Sequence, residues 1–396
     1  MGYDVCVVGG FGHVGLPLSI AFANSGKRVC AYDIAKEGID SIAKGKMPFI
    51  EHEGEKELRK ALDSGRLHLS LNPEDIGRSE NIIIVTGTPT DEHLSPEFSV
   101  VHKVLLGYMR YLKNDQLLIL RSTVYPGTTE RVYKMLRSNG KNLDVAFCPE
   151  RIVEGYALTE LYELPQIVSG VTQEAVERAK ELFGALTSDL IEVGTKEAEI
   201  AKLFTNAWRY IKFSVANQFF MIANEAGLDY TKIYNAMTHN YQRAKDLPKP
   251  GFASGPCLFK DTVQLSAFNN HAFQIGNAAI SINEGLPYYI VNQLKKKHDL
   301  KEKSVGILGM AFKAGSDDKR DSLSYKLKSI LEFESGKVYC SDAYIKEEGF
   351  VSADELVKKS DIIVVATPHQ EYSDLKISRE KILIDIWNLY KRGFIL

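Results

Sequence analysis

Excess charge of either sign is missing from this sequence. Its 49 lysines and arginines are matched by 51 aspartates and glutamates, leaving a net charge of -2. Without a global basic field, nucleic acid and anionic lipid are not expected partners, and any anionic ligand must be held by local arginines and lysines. No run of 18 apolar residues occurs, so no transmembrane helix is expected. The opening "MGYDVCVVGG" has neither a basic n-region nor a cleavage site and reads as a strand entering a turn. Gly2 does not signal myristoylation, because the sixth residue is Cys6 rather than Ser or Thr. Cysteine is scarce too. The five (Cys6, Cys30, Cys148, Cys257, Cys340) are odd in number, scattered and without metal-ligand spacing. They suit a reducing cytosol rather than a disulfide framework, and no metal is implied. Short-period repeats and low-complexity segments are also lacking.

The composition present, 44% hydrophobic and 25% charged over 396 residues, is that of a soluble globular protein too long for one ordinary core. Over the first 190 residues short apolar strands alternate with helical patterns: 3–9, 28–33, 81–87, 116–122, 144–150 and 166–170. Near-continuous Val/Ile/Leu runs between helices predict a parallel sheet covered on both faces. Residues 195–226 form the longest helical stretch, with Thr195 as a cap, Glu197 and Glu199 near its N-terminus and Gly227 to end it. A second helical region is expected over roughly 258–298, and strand–helix alternation restarts at 304–310, 337–342, 361–367 and 381–386. The expected fold class is α/β: two Rossmann-like doubly wound domains (1–194 and 301–396) joined by a central helical region (195–300) with one long helix.

The strongest local motif is "VCVVGGFGHVGLPLSIAFANSGKRVCAYD". Gly10, Gly12 and Gly15 stand directly after a strand and before a helix, allowing a tight turn and close approach of a pyrophosphate to the helix N-terminus. The turn Gly10–Phe11–Gly12–His13–Val14–Gly15 is thus a dinucleotide cradle. Asp33 ends the second strand, where a carboxylate bonds the adenosine ribose and favours NAD over NADP; Lys36 lies nearby. Lys202 and Asn206 lie four apart and share a helix face, a pattern equally met by solvated lysines. Glu150 and Glu154, in "CPERIVEG", follow a strand end, where catalytic groups and plain surface charges both occur. Cys257 follows Gly255–Pro256 and opens a helix, with Lys260 and Asp261 in its first turn. A helix N-terminus and a nearby ammonium favour the thiolate, whereas the other four cysteines sit in strands as fillers.

Together these segments resemble the UDP-glucose/GDP-mannose dehydrogenase family over essentially the whole length. The carriers are "GGFGHVGLPL", "GTPTD" (87–91), "RSTVYPGTTE" (121–130), "CPERIVEG" (148–155), "EAEIAKLFTNAW" (197–208), "GPCLFKD" (255–261) and "GMAFKAGSDDKRDS" (309–322). The resemblance implies oxidation of a nucleotide-sugar C6 hydroxyl to a carboxylate with two NAD. It makes Cys257 the nucleophile and Lys202 and Asn206 the oxyanion donors. Asp261 and Thr123 would order the water, Glu150 would be the general base, and Glu154 a second acidic position. Thr88 and Thr123 fall by the cofactor. Arg320 and Lys313 would contact the nucleotide diphosphate of a UDP-sugar, and Arg243 would reach a neighbouring subunit of a homodimer built on the long helix.

Departures from the family pattern concern the sugar. Phe252 and Ser254 replace two glycines of the loop that ends in Gly255 and Cys257, and Arg151 replaces an apolar residue of glucose-specific members. "PER" and "ATPHQEY" (366–372) resemble the branch acting on UDP-N-acetylhexosamines; "CLFKD" resembles the glucose branch. Ile386 and Trp387 stand where many members carry Gly-Arg. Competing readings are a two-electron β-hydroxyacid dehydrogenase, which needs neither the cysteine nor a second α/β domain, and a silent NAD-binding sensor.

Overall fold

The computed structural model describes residues 2–87 and 99–392; Thr88 and most of "GTPTD" lie outside them. The chain forms two compact units that divide inside the long helix, between Phe204 and Thr205.

In the first unit, eight strands make one sheet: β1 (Tyr3–Val8), β2 (Val29–Tyr32), β3 (Leu67–Ser70), β4 (Ser79–Ile84), β5 (Leu117–Leu120), β6 (Asp144–Phe147), β7 (Gln166–Gly170) and β8 (Leu190–Glu192). Their order is β3-β2-β1-β4-β5-β6-β7-β8. The register Val5↔Val29 and Val5↔Asn81 sets β1 between β2 and β4. Alternate residues point to opposite faces, and both faces are buried. Val5, Val7, Ala31, Ile83 and Ile119 join one apolar cluster; Cys6, Val8, Cys30, Ile82, Ile84 and Leu118 join the other.

Two strands, β7 and β8, run against the other six of this sheet, where an all-parallel one was expected. β7 runs antiparallel to β6, pairing Ala146 with Gly170 and Phe147 with Ser169. A strand buried on both faces reads the same in either direction, so apolar periodicity carries no sign of the reversal.

The second unit carries a four-stranded parallel sheet, β9 (Ser304–Leu308), β10 (Lys337–Ser341), β11 (Ile362–Val365) and β12 (Ile382–Ile384), in the order β10-β9-β11-β12. Before it come the rest of the long helix (Thr195–Glu225) and further helices, among them Leu258–Phe268 and Gln274–Lys297. The helical region expected over roughly 258–298 consists of these last two helices. Asn270 and His271 adopt positive φ (51° and 60°) between them and turn the chain.

The long helix begins at Thr195, but its N-terminus is closed by Glu197, whose carboxylate accepts the Gly194 N–H at 2.7 Å. At the other end Gly227 takes φ 69°, and the Leu228 N–H reaches the Ala223 carbonyl at 2.9 Å, closing the last turn. No helix among the described residues is long and apolar enough to cross a membrane.

Candidate active site

The glycine turn, Asp33, Thr123 and Glu150 in the first unit, and Lys313 and Arg320 in the second, follow strand ends, where the carboxyl edge of a parallel sheet gathers loops into a crevice. Lys202, Asn206 and Asp261 instead stand on helices, and Cys257 heads one.

The turn after β1 has the shape a pyrophosphate needs. A Cβ on Gly10 would lie 2.8 Å from Ala31, and one on Gly15 would lie 2.0 Å from the Gly9 carbonyl oxygen. Those two glycines let strand, turn and helix close together. A Cβ on Gly12 meets nothing nearer than 3.9 Å, so that side of the turn is open for a ligand. Gly9 escaped the sequence reading. It adopts φ 85°, and its missing side chain lets the Val85 carbonyl approach.

Asp33 accepts the Phe11 N–H through Oδ2 (3.1 Å) and the Ala35 N–H through Oδ1 (3.0 Å). It thereby ties the turn to β2 and keeps acceptor capacity for ribose hydroxyls. His13 stacks on Phe49 with centroids 4.2 Å apart. Val14 heads the helix, and Lys36 is exposed. This cradle fits NAD.

Beyond β5, Thr123 is half-buried and Ser122 accepts the Thr86 N–H at 2.8 Å. The neighbouring Arg121, which the sequence reading passed over, is fully buried. Its Nε donates to Glu150 Oε2 (2.7 Å), Nη2 pairs with the same oxygen, and Nη1 donates to the Cys148 carbonyl (3.2 Å) and Gln166 (3.0 Å). Glu150 Oε1 accepts the backbone N–H groups of Arg151 (2.7 Å) and Ile152 (3.0 Å). A carboxylate has about four lone-pair sites, and three hydrogen bonds with the Nη2 ion pair crowd all of them. Glu150 holds the turn after β6, and a water reaches it only by exchange with one of these donors. The Arg151 guanidinium donates to the Pro165 carbonyl. Glu154 is half-buried.

Glu199 was noted from sequence only as a charge near a helix start. In the fold it is fully buried and grips the loop after β5. It accepts the Gly127 N–H (2.5 Å), the Thr129 N–H (2.8 Å) and the Thr129 hydroxyl (2.6 Å). Burial raises its pKa, partly offset by those donors. Lys202, one turn further on, is 9% exposed.

In the second unit Cys257 is the N-cap of the helix Leu258–Phe268 and the one exposed cysteine of the five. Gly255 takes φ 102°, and a Cβ there would strike the Phe312 ring at 2.4 Å. Its N–H donates to the Asp321 carbonyl (3.2 Å), and the Ser254 hydroxyl donates to the Phe312 carbonyl (3.3 Å). The cysteine loop is thus moored to the loop after β9.

Asp261, fully buried, accepts from Asn206 Nδ2 at 2.5 Å; Lys260 Nζ lies 3.8 Å from its other oxygen. Phe252 lies two residues before Ser254 in the same loop. It is 4% exposed and packs with Phe220, Leu286 and Ile290, so it seats the loop in the core. Trp387 covers the same loop. Its indole donates to the Ala366 carbonyl (2.9 Å), and a Cβ on Gly251 would lie 2.3 Å from its ring.

Arg320 is engaged with Asp318 through Nε (3.0 and 2.8 Å) and Nη2 (2.5 Å), while its side chain stays 54% exposed. Lys313 Nζ sits 5.7 Å from the Phe312 centroid, and Arg243 is exposed in the turn Gln242–Ala244.

Three family models match in chain order: the NAD-binding domain of the UDP-glucose/GDP-mannose dehydrogenase family at 3–187, its central domain at 196–285 and its UDP-binding domain at 306–392. The UDP-N-acetyl-D-mannosamine dehydrogenase of Pyrococcus horikoshii is 32% identical over 98% of this chain and 96% of that protein. This chain belongs to the UDP-glucose/GDP-mannose dehydrogenase family. It is an NAD-dependent nucleotide-sugar dehydrogenase. A solved structure of the P. horikoshii UDP-D-ManNAc dehydrogenase superposes with a TM-score of 0.90 at 30% identity, covering 98% of this chain and 96% of that one. A UDP-glucose dehydrogenase from Pyrobaculum islandicum superposes at 0.89 with 25% identity, covering 97% and 94%. The NDP-N-acetyl-D-galactosaminuronic acid dehydrogenase of Ralstonia nicotianae is 27% identical over 95% of this chain and 94% of that protein.

Proposed function

We propose that this enzyme oxidises C6 of a UDP-N-acetylhexosamine, of the N-acetylmannosamine type, to the uronic acid through a covalent bond to Cys257, supplying precursor for a surface polysaccharide or other glycan. The observation that carries the covalent route is the exposed Cys257 thiol at a helix N-terminus, one turn from the Asn206–Asp261 bond.

The Gly10–Gly15 turn and Asp33 would hold NAD, two molecules in turn, and the cofactor would supply the hydride acceptor for oxidation of the C6 alcohol and then of the Cys-linked thiohemiacetal. Cys257 acts between them. The helix dipole favours its thiolate; Sγ adds to the C6 aldehyde and keeps it from escaping. Asn206 gives one amide hydrogen to Asp261 and retains a second for the oxyanion. Lys202, on the same helix face one turn earlier, supplies positive charge to that oxygen. After the second oxidation water cleaves the thioester, with Asp261 and Thr123 orienting it and Glu150 taking its proton by exchanging one of its four contacts. Lys313 and Arg320 serve the diphosphate, Arg320 by leaving Asp318.

The sugar rests on the branch-like "PER" and "ATPHQEY" segments and on the relatives' substrates. UDP-glucose is the second reading, favoured by "CLFKD" and by the likeness to the P. islandicum structure. A panel of UDP-, dTDP- and GDP-sugars with NAD decides, scored as NADH formed per sugar consumed. Two NADH per UDP-N-acetylmannosamine supports the proposal; turnover of UDP-glucose alone overturns the sugar, and one NADH per sugar overturns the covalent route.

A further inference from the structure

The two units repeat one device. In each, the strand beside the first ends in an aspartate that accepts N–H groups from the loop after that first strand. In the first unit the aspartate is Asp33, which takes one such bond, from Phe11, and a second from Ala35 just after its own strand. In the second it is Asp342, after β10, and it is sealed. Its Oδ2 accepts from Met310 (2.6 Å) and Ala311 (2.9 Å), and its Oδ1 from Tyr344 (2.8 Å) and Ile345 (2.9 Å). A fifth contact comes from His369, which follows β11: Nε2 lies 3.2 Å from Oδ2, and both side chains are fully buried.

The other ring nitrogen fixes the tautomer. The Gly315 N–H points at His369 Nδ1 at 3.2 Å, so Nδ1 accepts and carries no proton, and the proton sits on Nε2, donated to Asp342. Burial pushes Asp342 up, but the bonds from His369 and from the Ile345 and Tyr344 backbone outweigh it and hold it at about 2. Asp342 therefore stays an acceptor across the working range.

Gly315 is exposed and lies in the middle of the loop 309–322, between Lys313 and Arg320. Both ends of this loop are fixed, at Gly309, whose missing side chain admits Thr367, and at Ser322, which bonds the Ala311 carbonyl at 3.2 Å. Between them, His369 ties the exposed crest of the loop to the buried Asp342. We infer that His369 is a positioning residue for the nucleotide: through Gly315 and Asp342 it holds the loop in the shape that presents Lys313 and Arg320 to a diphosphate. The inference rests on the reading that the second unit holds the UDP moiety.

The same geometry makes the grip sensitive to acid. A proton on Nδ1 would turn it from acceptor to donor, facing the Gly315 N–H, and the crest would be released. The groups around the ring are the carboxylates of Asp342 and Glu371 and the Tyr344 and Tyr372 rings at 5.1 and 5.5 Å. From the loop come Asp318 paired with Arg320 and Lys319 paired with Glu347.

The test is UDP binding to the full-length protein by calorimetry, alongside KM for the UDP-sugar and for NAD. His369→Ala is expected to weaken UDP and raise the sugar KM about tenfold, with KM for NAD unchanged. His369→Gln places an amide oxygen and an amide N–H where Nδ1 and Nε2 stand, so it should restore wild-type affinity at neutral pH. Glutamine does not titrate, so the ratio of wild-type to His369→Gln affinity should fall as the pH drops from about 8 to 5.5. UDP's own phosphate titration cancels in that ratio. Unchanged UDP affinity in His369→Ala overturns the inference, as does a constant ratio across pH. Loss of NAD and UDP affinity together in His369→Gln also overturns it, since that marks a purely structural role. A wild-type protein that binds no UDP overturns the nucleotide reading on which it rests.

Discussion

Five thiols share one chemistry and differ only in what surrounds them. Burial pushes the Cys148 thiol up to about 12, even with the Arg121 charge pulling it down, and the Cys340 thiol up to about 11. Neither forms thiolate near neutrality. Cys257 is exposed at a helix N-terminus. Cys257→Ser should therefore bind NAD normally and lose roughly a thousandfold or more in uronate formation, because a serine hydroxyl stays protonated. NAD binding followed by fluorescence and NADH counted per sugar check this; two NADH per sugar at near wild-type rate would reject the nucleophile. Cys148→Ala should leave rate untouched and cost about 1–2 kcal/mol in urea unfolding. Arg121 carries a larger structural load. Arg121→Met strips two bonds from Glu150 and leaves a buried carboxylate facing an apolar chain. A loss of about 3–5 kcal/mol is expected in the same unfolding measurement, and a loss under about 1 kcal/mol would show that the pair is not what holds the turn.

At the scale of elements, Glu199 joins the long helix to the loop after β5 and caps the helix Thr128–Ser138 from outside, since the Gly127 N-cap offers no side chain. Removing it in Glu199→Ala leaves two N–H groups and a hydroxyl unpaired, a cost of about 2–4 kcal/mol. Hydrogen exchange should quicken first at residues 121–131. Its proton matters as well. Burial raises the folded pKa above the ordinary 4.5, so the folded chain holds this proton more tightly than the unfolded one. That contribution is fully present below about pH 4.5 and fades as the pH rises through the folded value. In Glu199→Gln this part of the pH dependence should vanish from unfolding curves; an unchanged slope would assign it to other groups. What was legible in sequence follows the same division between local and distant. The glycine turn, Asp33 and the cysteine's place at a helix start are written in contiguous residues. So are ten of the twelve strands. β3 was missed because His68 breaks its apolar run in "LHLS", and β8 because three residues carry no period. Arg121–Glu150, Thr129–Glu199 and Asp342–His369 join residues 29, 70 and 27 positions apart, and nothing in the intervening sequence announces them.

For the whole molecule, the long helix decides whether one chain is enough. Along its sequence the helix carries the apolar residues Ile200, Leu203, Phe204, Ala207, Ile211 and Phe219. Leu203 and Ala207 turn out to be core, at 0% and 2% exposed. Phe204 (57%) and Phe219 (40%) are exposed, and Trp208 (55%), Val215 (38%) and Ile222 (59%) join them. Spacings of seven, four and three put Trp208, Val215, Phe219 and Ile222 on one stripe of the kind that packs against another helix. A stripe of large apolar side chains facing water is costly unless covered. We propose that a second copy covers it, as the family resemblance implies, and that the exposed Arg243 then serves the partner's substrate. Replacing Trp208 and Phe219 together by glutamate should give a monomer by light scattering, because two unpaired carboxylates would be buried in the contact. NAD binding should survive in that monomer. Turnover of the UDP-sugar should fall at least tenfold, as it should in Arg243→Ala, whose mass stays that of the dimer. Mixing Arg243→Ala with Cys257→Ser, both of which keep the contact, separates the explanations: activity recovered in mixed dimers means Arg243 acts across the contact. A wild-type chain that is monomeric and fully active at working concentration would instead show that the stripe is covered within one chain or tolerated bare.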